Sequence, residues 1–324
     1  MAFDLSIVVP VFNKSPYLER LFSYFRQVDN YNIELVIIDD NSADNSWELI
    51  EQFSAPRSNV IAERLNVNSG VAKARNYGIG ISSGKYITFF DPDDDPAGNY
   101  LTHCLNFARD EFDLLVFSFV MRTPTVDKPF IFEDATYTSN LKDKLVLRRF
   151  IEMGVNHSPW NKLFRRELLY RNSIDFPESR SLGEDGLFCF KCISKSNVVR
   201  FSSIIGLVYY AGNPDSLTNS IDRKKVQDLI WCQSQIIHSE LVCDLSIRRR
   251  SYYLFRTFLS YYVWFPSKFN GYLTHQFSVK NCAARSILLS GIAFKWRLAA
   301  LLITVLPQRV LGGTYRFLSR FRGQ

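Results

Sequence analysis

Residues 5–11 read Leu-Ser-Ile-Val-Val-Pro-Val, an almost continuous apolar run that is rich in β-branched side chains. Such a run predicts a strand that is buried on both faces, as in a mostly parallel sheet. It ends before Asn13, and Ser15 with Pro16 then gives an N-cap residue followed by a proline at the first helical position. Apolar residues recur at helical spacing from there to Val28, so a helix follows the strand.

The same alternation of strand and helix continues along the chain. Further strands are predicted at Ile33 to Ile38, near Val60, at Tyr86 to Phe90 and at Asp113 to Phe119, and further helices at about Asp44 to Phe53 and Gly70 to Ile81. This order predicts an α/β fold with a Rossmann-type, mostly parallel sheet and flanking helices. Short elements and loops alternate between Phe130 and Arg200, and a helical pattern begins beyond Lys224. We therefore predict a catalytic domain at 1–222 and a C-terminal helical region at 223–324.

Charge is unevenly distributed along the 324 residues. All 32 Asp and Glu lie in residues 1–244 together with 26 Lys and Arg, whereas the last 80 residues carry 13 Lys and Arg and no acid. The formal charge of +7 thus combines an acidic body at −6 with a basic tail. Sixteen of those last 80 residues are aromatic.

The six cysteines are scattered, and only Cys189 and Cys192 form a C-x-x-C pair. No second pair or nearby His completes a zinc site, so these two are predicted to be buried thiols of a helix in a reducing compartment. The N-terminus shows no secretory signal pattern. The longest largely apolar stretch, Leu298 to Leu306, is shorter than the roughly 18–20 residues of a membrane span. We therefore predict a cytoplasmic protein.

Acidic clusters follow two of the predicted strands, at residues 39–42 and 91–94. The run Asp91-Pro92-Asp93-Asp94 places several carboxylates close together, and they resist ionising unless a cation lies among them. A hard divalent ion such as Mg²⁺ or Mn²⁺ suits these oxygen ligands, with diphosphate oxygens sharing the coordination. A solvated acidic turn is the alternative. In the first cluster a carboxylate can accept the N–H of a pyrimidine base, or the cluster can form an Asx-turn that caps the next helix.

Two common nucleotide-binding patterns are missing from the sequence. No G-x-x-x-x-G-K-[ST] occurs, and the first strand ends in Pro10-Val11-Phe12-Asn13 instead of G-x-G-x-x-G. A P-loop enzyme and a dinucleotide oxidoreductase are therefore disfavoured.

Several motifs together resemble the family-2 inverting glycosyltransferases of the GT-A fold, of the type that builds bacterial surface polysaccharides. The motifs match in type, order and spacing, and they are residues 8–13, Asp39-Asp40-Asn41-Ser42, Asn68-Ser69-Gly70 leading to Ala74-Arg75-Asn76, Gly84-Lys85-Tyr86-Ile87, the aspartate cluster, Trp160-Asn161-Lys162-Leu163, and Gly183-Glu184-Asp185 followed by Phe188. The resemblance covers about residues 4–220.

On the donor side, the resemblance implies a nucleotide pocket. Pro10 and Phe12 would line it, the Asp39-Asp40 pair would offer Asp40 to the base, and Asn68 would lie beside it. Ordinary strand-end or loop structure is the alternative for Pro10, Phe12 and Asn68. The donor implied is a UDP-sugar, with a dTDP-sugar as the near competitor because both bases carry the same imide N–H.

At the reacting centre, the resemblance implies that Asp93 ligates the metal, with Asp91 near the ribose or the metal. Asp185 matches the catalytic base, Glu184 lies beside it near the acceptor, and Trp160 flanks the acceptor. A helix N-cap is the alternative for Asp185, and a core aromatic for Trp160. The base would deprotonate the acceptor hydroxyl while the metal stabilises the leaving diphosphate.

Lys73 and Arg75 are candidate phosphate contacts, although a solvated helix face is the interpretation we favour for both. The sequence departs from the family where a basic residue often follows the Tyr-rich strand, because Ala211 and Asn213 stand there. The processive-synthase signature Q-x-x-R-W is absent, which favours the addition of one sugar.

The predicted activity is metal-dependent, inverting transfer of a sugar to a glycan or lipid-linked acceptor in the biosynthesis of a surface polysaccharide such as capsule or lipopolysaccharide. A nucleotidyltransferase is the second enzyme class. A non-enzymatic membrane-binding or nucleic-acid-binding module is the third alternative, and it leaves Asp40, Asp93 and Asp185 unexplained.

The basic tail contains two amphipathic candidates, Arg285 to Leu302 and Gln308 to Phe321. Basic helices with interfacial aromatics suit an anionic membrane surface. A nucleic-acid-binding arm and a plain packing domain are the alternatives. Because a lipid-linked acceptor explains both the charge and the apolarity, we predict peripheral attachment to the inner face of the plasma membrane and no nucleic-acid partner.

Overall fold

The computed structural model describes residues 3–138, 158–211 and 222–237. The strands are β1 (Leu5–Val11), β2 (Ile33–Asp39), β3 (Val60–Arg64), β4 (Tyr86–Phe89), β5 (Asp95–Pro96), β6 (Leu114–Arg122), β7 (Asp127–Phe130), β8 (Ala135–Thr138), β9 (Lys162–Arg165) and β10 (Val198–Tyr210). The helices are α1 (Ser15–Phe25), α2 (Ser46–Ser54), α3 (Val71–Ile81), α4 (Tyr100–Ala108), α5 (Arg166–Arg171), α6 (Glu184–Lys195) and α7 (Arg223–Ile237), with a 3₁₀ turn at Arg26–Asn30.

These strands join one sheet in the order β3-β2-β1-β4-β9-β6-β10-β5, with β7 beside β6 and β8 beside β10. Strands β3, β2, β1 and β4 pair in parallel, and so do β6 and β10. Strand β9 lies between β4 and β6 and is antiparallel to both, so these two parallel groups run in the same direction. The predicted α/β fold with a mostly parallel sheet and flanking helices is confirmed.

The order of the strands creates a crevice at the carboxyl end of β1. The chain passes from β1 to β2 and β3 on one side and then returns to β4 on the other side of β1. Ligands of open α/β sheets bind outside the carboxyl ends of the strands at such a reversal. The loops that follow β1, β2 and β4 meet there, and they contain both acidic clusters.

Adjacent aromatic residues at the end of β4 show how the sheet is covered on both faces. Phe89 contacts Phe188 of α6 edge-on, with ring centroids 5.8 Å apart. Phe90 contacts Phe25 of α1 in the same way on the opposite face, at 5.4 Å. Successive side chains of an extended chain point to opposite faces, so these two adjacent residues contact helices on both sides of the sheet.

Most predicted boundaries agree with the observed elements within a few residues. Strand β1 has the predicted bounds, whereas α2 begins at Ser46 and not at Asp44. The reason is local, because the Asp44 carboxylate accepts the backbone N–H of Ser46 at 3.0 Å and thus lies just outside the helix. Cys189 and Cys192 lie on α6 and are buried, as predicted.

Helix α7 follows the predicted domain boundary at residue 222 and packs against α6. The predicted membrane-binding segments, Arg285 to Leu302 and Gln308 to Phe321, lie outside the described residues. In the described part of the chain, no helix has both the length and the apolarity that a membrane span needs.

Candidate functional site

The loops after β1 and β2 are tied to each other at the rim of the sheet. Asn13 and Asn41 both adopt the left-handed region, at φ values of 51° and 60°. The backbone N–H of Asn13 donates to the Ser42 hydroxyl at 2.9 Å, and the Asn13 side-chain oxygen accepts the N–H of Ala43 at 2.8 Å. These contacts hold the backbone next to Phe12, which is 42% exposed.

The rest of the predicted nucleotide pocket divides into buried and exposed residues. Pro10 is buried within β1, opposite Ile38 of β2, and Asn68 is exposed on the loop before α3. Phe12 and Asn68 are thus exposed near this rim, whereas Pro10 is buried within the strand.

Asp39 and Asp40 perform different tasks at the end of β2. The Asp39 carboxylate is fully buried, accepts the backbone N–H of Ser42 and pairs with the Arg64 guanidinium at 3.2 Å. The two Asp40 oxygens accept the backbone N–H groups of Ser69 and Gly70, each at 2.7 Å. Burial raises the pKa of Asp40, and these two N–H donors oppose the rise. Because a carboxylate oxygen has two lone pairs, Asp40 retains acceptor capacity after it holds this loop.

Arg75 connects the aspartate cluster to the candidate base. One terminal guanidinium nitrogen lies 2.9 Å from Asp91 and the other lies 2.7 Å from Asp185. The Arg75 side chain is 4% exposed, whereas the Asp91 and Asp185 side chains are 27% and 29% exposed. A buried cation thus holds two carboxylates that remain open to a ligand. Our interpretation of Arg75 as part of a solvated helix face was wrong.

The remaining aspartates of the cluster differ in burial and in partner. The Asp93 carboxylate lies 2.8 Å from the Lys14 ammonium and is 20% exposed. Asp94 is buried and accepts the backbone N–H of Tyr210 at 3.2 Å. Burial raises the pKa of Asp94 well above its ordinary value, and the charges of Asp91 and Asp93 add to the rise. Asp94 thus holds the loop after β4 against β10, whereas the Asp91 and Asp93 carboxylates stay partly exposed.

The donor atoms at this rim suit a hard divalent cation. In the part of the chain that the structure describes, no three His, Cys, Asp or Glu side chains converge to hold a metal by themselves. Mg²⁺ is commonly bound by one or two carboxylates, with substrate phosphates and water completing the octahedron. Asp91 and Asp93 supply two partly exposed carboxylates two positions apart in the chain, which fits such a shared site.

Two acids open helix α6 beside Arg75. Gly183 is the N-cap residue of this helix and adopts the left-handed conformation, at φ 87°. Asp185 is therefore the second helical residue and not the N-cap. Burial raises the pKa of Asp185, and the charge of Arg75 opposes this rise. The pKa of Glu184 is also raised, to about 8, because the side chain is buried and lies next to Asp185. One carboxylate oxygen of Glu184, Oε2, is buried without a hydrogen-bond partner.

Lys162 is a buried cation behind this acidic pair. Its ammonium group donates to the carbonyl oxygen of Ser158 at 2.6 Å and to the side-chain oxygen of Asn161 at 2.7 Å. Burial lowers its pKa, and the charge of Asp185 is among the influences that oppose this. The Lys162 ammonium group thus adds positive electrostatic potential near Asp185.

Trp160 lies in an aromatic stack. Its indole is parallel to Tyr209, with centroids 5.3 Å apart, and contacts Phe119 edge-on at 4.9 Å. The residue is 5% exposed. This packing supports the core-aromatic alternative more than direct contact with an acceptor.

Sequence reasoning missed Arg75 and Lys14 as partners of the acids. A signal for Arg75 was present, because it lies three and four residues before Gly78 and Ile79 and so shares their buried helix face. No sequence signal marked Lys14, whose pairing with Asp93 joins residues 79 positions apart.

Comparison with known proteins identifies the family of this chain. The family model described as "Glycosyl transferase family 2" matches residues 6–172. EpsH of Bacillus subtilis (strain 168) is 31% identical over 190 residues, which are 58% of this chain and 55% of that protein. The poly(ribitol-phosphate) beta-glucosyltransferase of Bacillus spizizenii is 26% identical over 252 residues, which are 76% of this chain and 38% of that protein. The chain thus spans about half the length of these relatives or less.

The fold is shared with a solved structure. The crystal structure of S. aureus TarS 1-349 in complex with UDP-GlcNAc superposes with a TM-score of 0.62 at 21% identity, covering 87% of this chain and 80% of that one. This likeness agrees with the GT-A-like arrangement of the sheet. Because the family model spans more than half of the sequence, the chain belongs to glycosyl transferase family 2.

Proposed function

We propose that this protein transfers a sugar from a UDP-sugar to a hydroxyl group of a surface-glycan acceptor, with inversion at the anomeric carbon. Membership of glycosyl transferase family 2 supports the reaction class. The observation that carries the proposal is the Arg75 bridge, because it holds Asp185 and Asp91 on one guanidinium. A base for the acceptor and a carboxylate for the donor are thereby kept side by side at the carboxyl edge of the sheet.

Asp185 is the proposed base. In a single displacement, the acceptor oxygen forms a bond to the anomeric carbon as its proton passes to Asp185. The bond between that carbon and the diphosphate oxygen breaks, and the diphosphate leaves with the electron pair. A positioned base contributes roughly 10²–10⁴-fold to such a step. Partial burial supports this role, because it raises the pKa of Asp185 and makes the carboxylate more basic.

Asp93 and Asp91 are the proposed metal ligands, shared with the donor diphosphate. A Mg²⁺ or Mn²⁺ ion bound there would act as a Lewis acid that stabilises the leaving diphosphate. The protein adds its own positive charge at the same rim, since Lys14 lies 2.8 Å from Asp93. Oxygen-only ligands and the exposure of both carboxylates support this assignment.

The proposed nucleotide pocket lies between the loops that follow β1, β2 and β3. Asp40 is anchored through the N–H groups of Ser69 and Gly70, and a free lone pair on its carboxylate suits the imide N–H of uracil. The exposed ring of Phe12 supplies an apolar surface at the same rim. The similar TarS structure contains UDP-GlcNAc, which supports a uridine donor here.

The proposed acceptor is a glycan or a lipid-linked glycan of the cell surface. One relative is a poly(ribitol-phosphate) beta-glucosyltransferase, which supports a polyol-phosphate or polysaccharide hydroxyl as the nucleophile. Glu184, next to the base and with an unpartnered carboxylate oxygen, is the proposed acceptor contact. Capsule and lipopolysaccharide remain candidate products within this class.

We further propose attachment to the inner face of the plasma membrane through the basic tail. Charge segregation supports it, because the 13 cations after residue 244 have no acids among them. Each Lys or Arg near an anionic surface contributes about 1 kcal/mol. Full-length protein should sediment with anionic liposomes, less so in high salt, and not with neutral ones. Equal sedimentation with both, or binding to RNA alone, would reject this proposal.

The test of the proposed reaction combines donor choice with product stereochemistry. UDP, dTDP, CDP and GDP are titrated calorimetrically with Mn²⁺, and turnover is then followed with the matching α-linked sugar donor. We expect the tightest binding for UDP, and NMR should show a β-linked product. Preference for GDP would reject the donor assignment, and retention of the α configuration would reject the single displacement.

A further inference from the structure

Helix α7 clasps the turn that leads into α6. Asp228 on α7 is 1% exposed, and its carboxylate accepts three hydrogen bonds from that turn. The donors are the Arg180 guanidinium at 2.9 Å, the backbone N–H of Ser181 at 3.0 Å and the Ser181 hydroxyl at 3.0 Å. Hydrogen bonds to a carboxylate are strong and directional, so these three hold the backbone of residues 180–181 in a defined position.

Two further contacts join the turn to α7. The Arg180 guanidinium lies over the Trp231 ring, 4.4 Å from its centroid. Gly183 packs so tightly on α7 that an added Cβ would lie 3.0 Å from a methyl carbon of Leu229 and 3.2 Å from the Cβ of Cys232. Its φ of 87° is a conformation that side chains disfavour. Helix α7 thus contacts the turn at three of its residues, Arg180, Ser181 and Gly183.

The clasped turn is continuous with the acidic pair. Gly183 is followed directly by Glu184 and Asp185, the first two residues of α6. The Asp185 carboxylate lies 2.7 Å from Arg75 of α3, a distance that depends on where α6 begins. A shift of the turn would therefore move the proposed base away from the guanidinium and the donor.

We propose that Asp228 is a positioning residue, which acts through Arg180 and Ser181 to hold Asp185 in its working place. This inference rests on the proposed function, in which Asp185 is the base. It makes α7 part of the catalytic unit, so that unit extends at least to residue 237 and past the predicted boundary at 222.

A second carboxylate at the other end of α6 provides a matched control. Asp113 accepts the backbone N–H groups of Asn197 and Val198, at 2.6 and 3.0 Å. It is also buried, and it holds the segment that follows α6 in the same chemical manner. Asp113 holds the C-terminal end of α6, which is remote from Asp185, whereas Asp228 holds the turn before its N-terminal end.

The experiment compares Asp228→Asn with Asp113→Asn in the full-length protein. Both substitutions keep the side-chain shape, remove the charge and should lower Tm by similar amounts. We expect Asp228→Asn alone to lower kcat by at least about tenfold, while KM for the donor and the calorimetric Kd for UDP stay within about threefold of wild type. Hydrogen–deuterium exchange of the 180–186 peptide should rise in Asp228→Asn and stay unchanged in Asp113→Asn.

Three results would overturn the proposal. They are wild-type kcat in Asp228→Asn, an equal loss of kcat in Asp113→Asn, and unchanged exchange of the 180–186 peptide. If Asp228→Asn does not fold, Ser181→Ala removes one of the three hydrogen bonds and should give a smaller loss of kcat with the same exchange signature. Failure of the proposed function looks different, because Asp185→Asn would then retain transfer whatever happens at Asp228.

Discussion

Arg75 binds two carboxylates with its two terminal nitrogens, lying 2.7 Å from Asp185 and 2.9 Å from Asp91. These acids come from the start of α6 and from the loop after β4, and Arg75 itself lies on α3. One buried side chain thus sets the distance between three elements of the site. The proposed base and the proposed donor-side acid cannot move independently while this bridge is intact.

Arg75→Lys should lower kcat by roughly 10²-fold, because one ammonium group cannot replace the planar fork that bridges both acids. Steady-state kinetics with the natural acceptor measure this, and the Kd for UDP should change much less than kcat.

Arg57→Lys is the matched control for this substitution. Arg57 also pairs with an aspartate, Asp29, and lies over the Phe53 ring, but it is remote from the rim of the sheet. Its substitution should leave kcat within about twofold. A similar loss in both variants would show that the Arg75 bridge has no special role.

Asp93→Ala should abolish the dependence of donor binding on Mn²⁺, because one missing carboxylate leaves the diphosphate charge poorly compensated. Chelation of divalent ions should likewise stop transfer by the wild-type protein. Titration of UDP with and without Mn²⁺ measures the first effect. Asp29→Asn, at the exposed partner of Arg57, should keep the full metal response. If Asp93→Ala bound UDP with an unchanged response to Mn²⁺, Asp93 would not be a ligand.

Glu184→Gln should become more stabilising, relative to wild type, as the pH rises. Burial, followed by the charge of Asp185, raises the pKa of Glu184 to about 8 in the folded protein. A carboxyl group with a raised folded pKa stabilises the fold when protonated, and it loses that contribution as the pH climbs from its unfolded value of about 4.5 towards 8.

Glutamine cannot ionise, so the difference in Tm, variant minus wild type, should grow by at least about 2 °C from pH 5 to pH 8 and then level off. Thermal melts at intervals of one pH unit measure this difference. Glu178→Gln, which replaces an exposed carboxylate paired with Lys73, should give a nearly constant difference. A constant difference for Glu184→Gln as well would show that its pKa is not raised.

Gly78→Ala and Gly80→Ala should have opposite effects on stability, although both glycines lie on α3. A Cβ at Gly78 would lie 2.4 Å from a methyl group of Val8, whereas nothing lies within 4 Å of a Cβ at Gly80. Gly80→Ala should raise the free energy of unfolding by roughly 0.5–1 kcal/mol through helix propensity. Gly78→Ala should lower it by about 1–3 kcal/mol through overpacking. Denaturant unfolding measures both, and equal changes would contradict the close packing of α3 on β1.

The sequence predicted the sheet well, because buried parallel strands are continuous apolar runs. The run at residues 5–11 and the aspartates at 39–40 and 91–94 sufficed to predict which loops share an edge. The helix predicted at Gly70 to Ile81 agrees with α3 within one residue.

The sequence did not reveal which charges pair, because the partners are far apart in the chain. Arg75 and Asp185 are 110 positions apart, and Arg180 and Asp228 are 48 apart. A buried arginine is also indistinguishable from a surface arginine by residue type alone. The sequence pattern beyond residue 222 predicted helices but not their contacts, and α7 packs on α6 and accepts hydrogen bonds from the turn that precedes it.

Asp185→Asn provides the most direct measurement of the central claim, that this carboxylate takes the proton of the acceptor hydroxyl. Asparagine keeps the shape and the oxygen that faces Arg75 but cannot accept that proton. We expect single-turnover transfer to fall by at least about 10²-fold, with the Kd for UDP in the presence of Mn²⁺ within a few fold of wild type. The control Asp175→Asn, at an exposed acid ten residues earlier, should transfer at the wild-type rate. Near wild-type turnover in Asp185→Asn would contradict the claim.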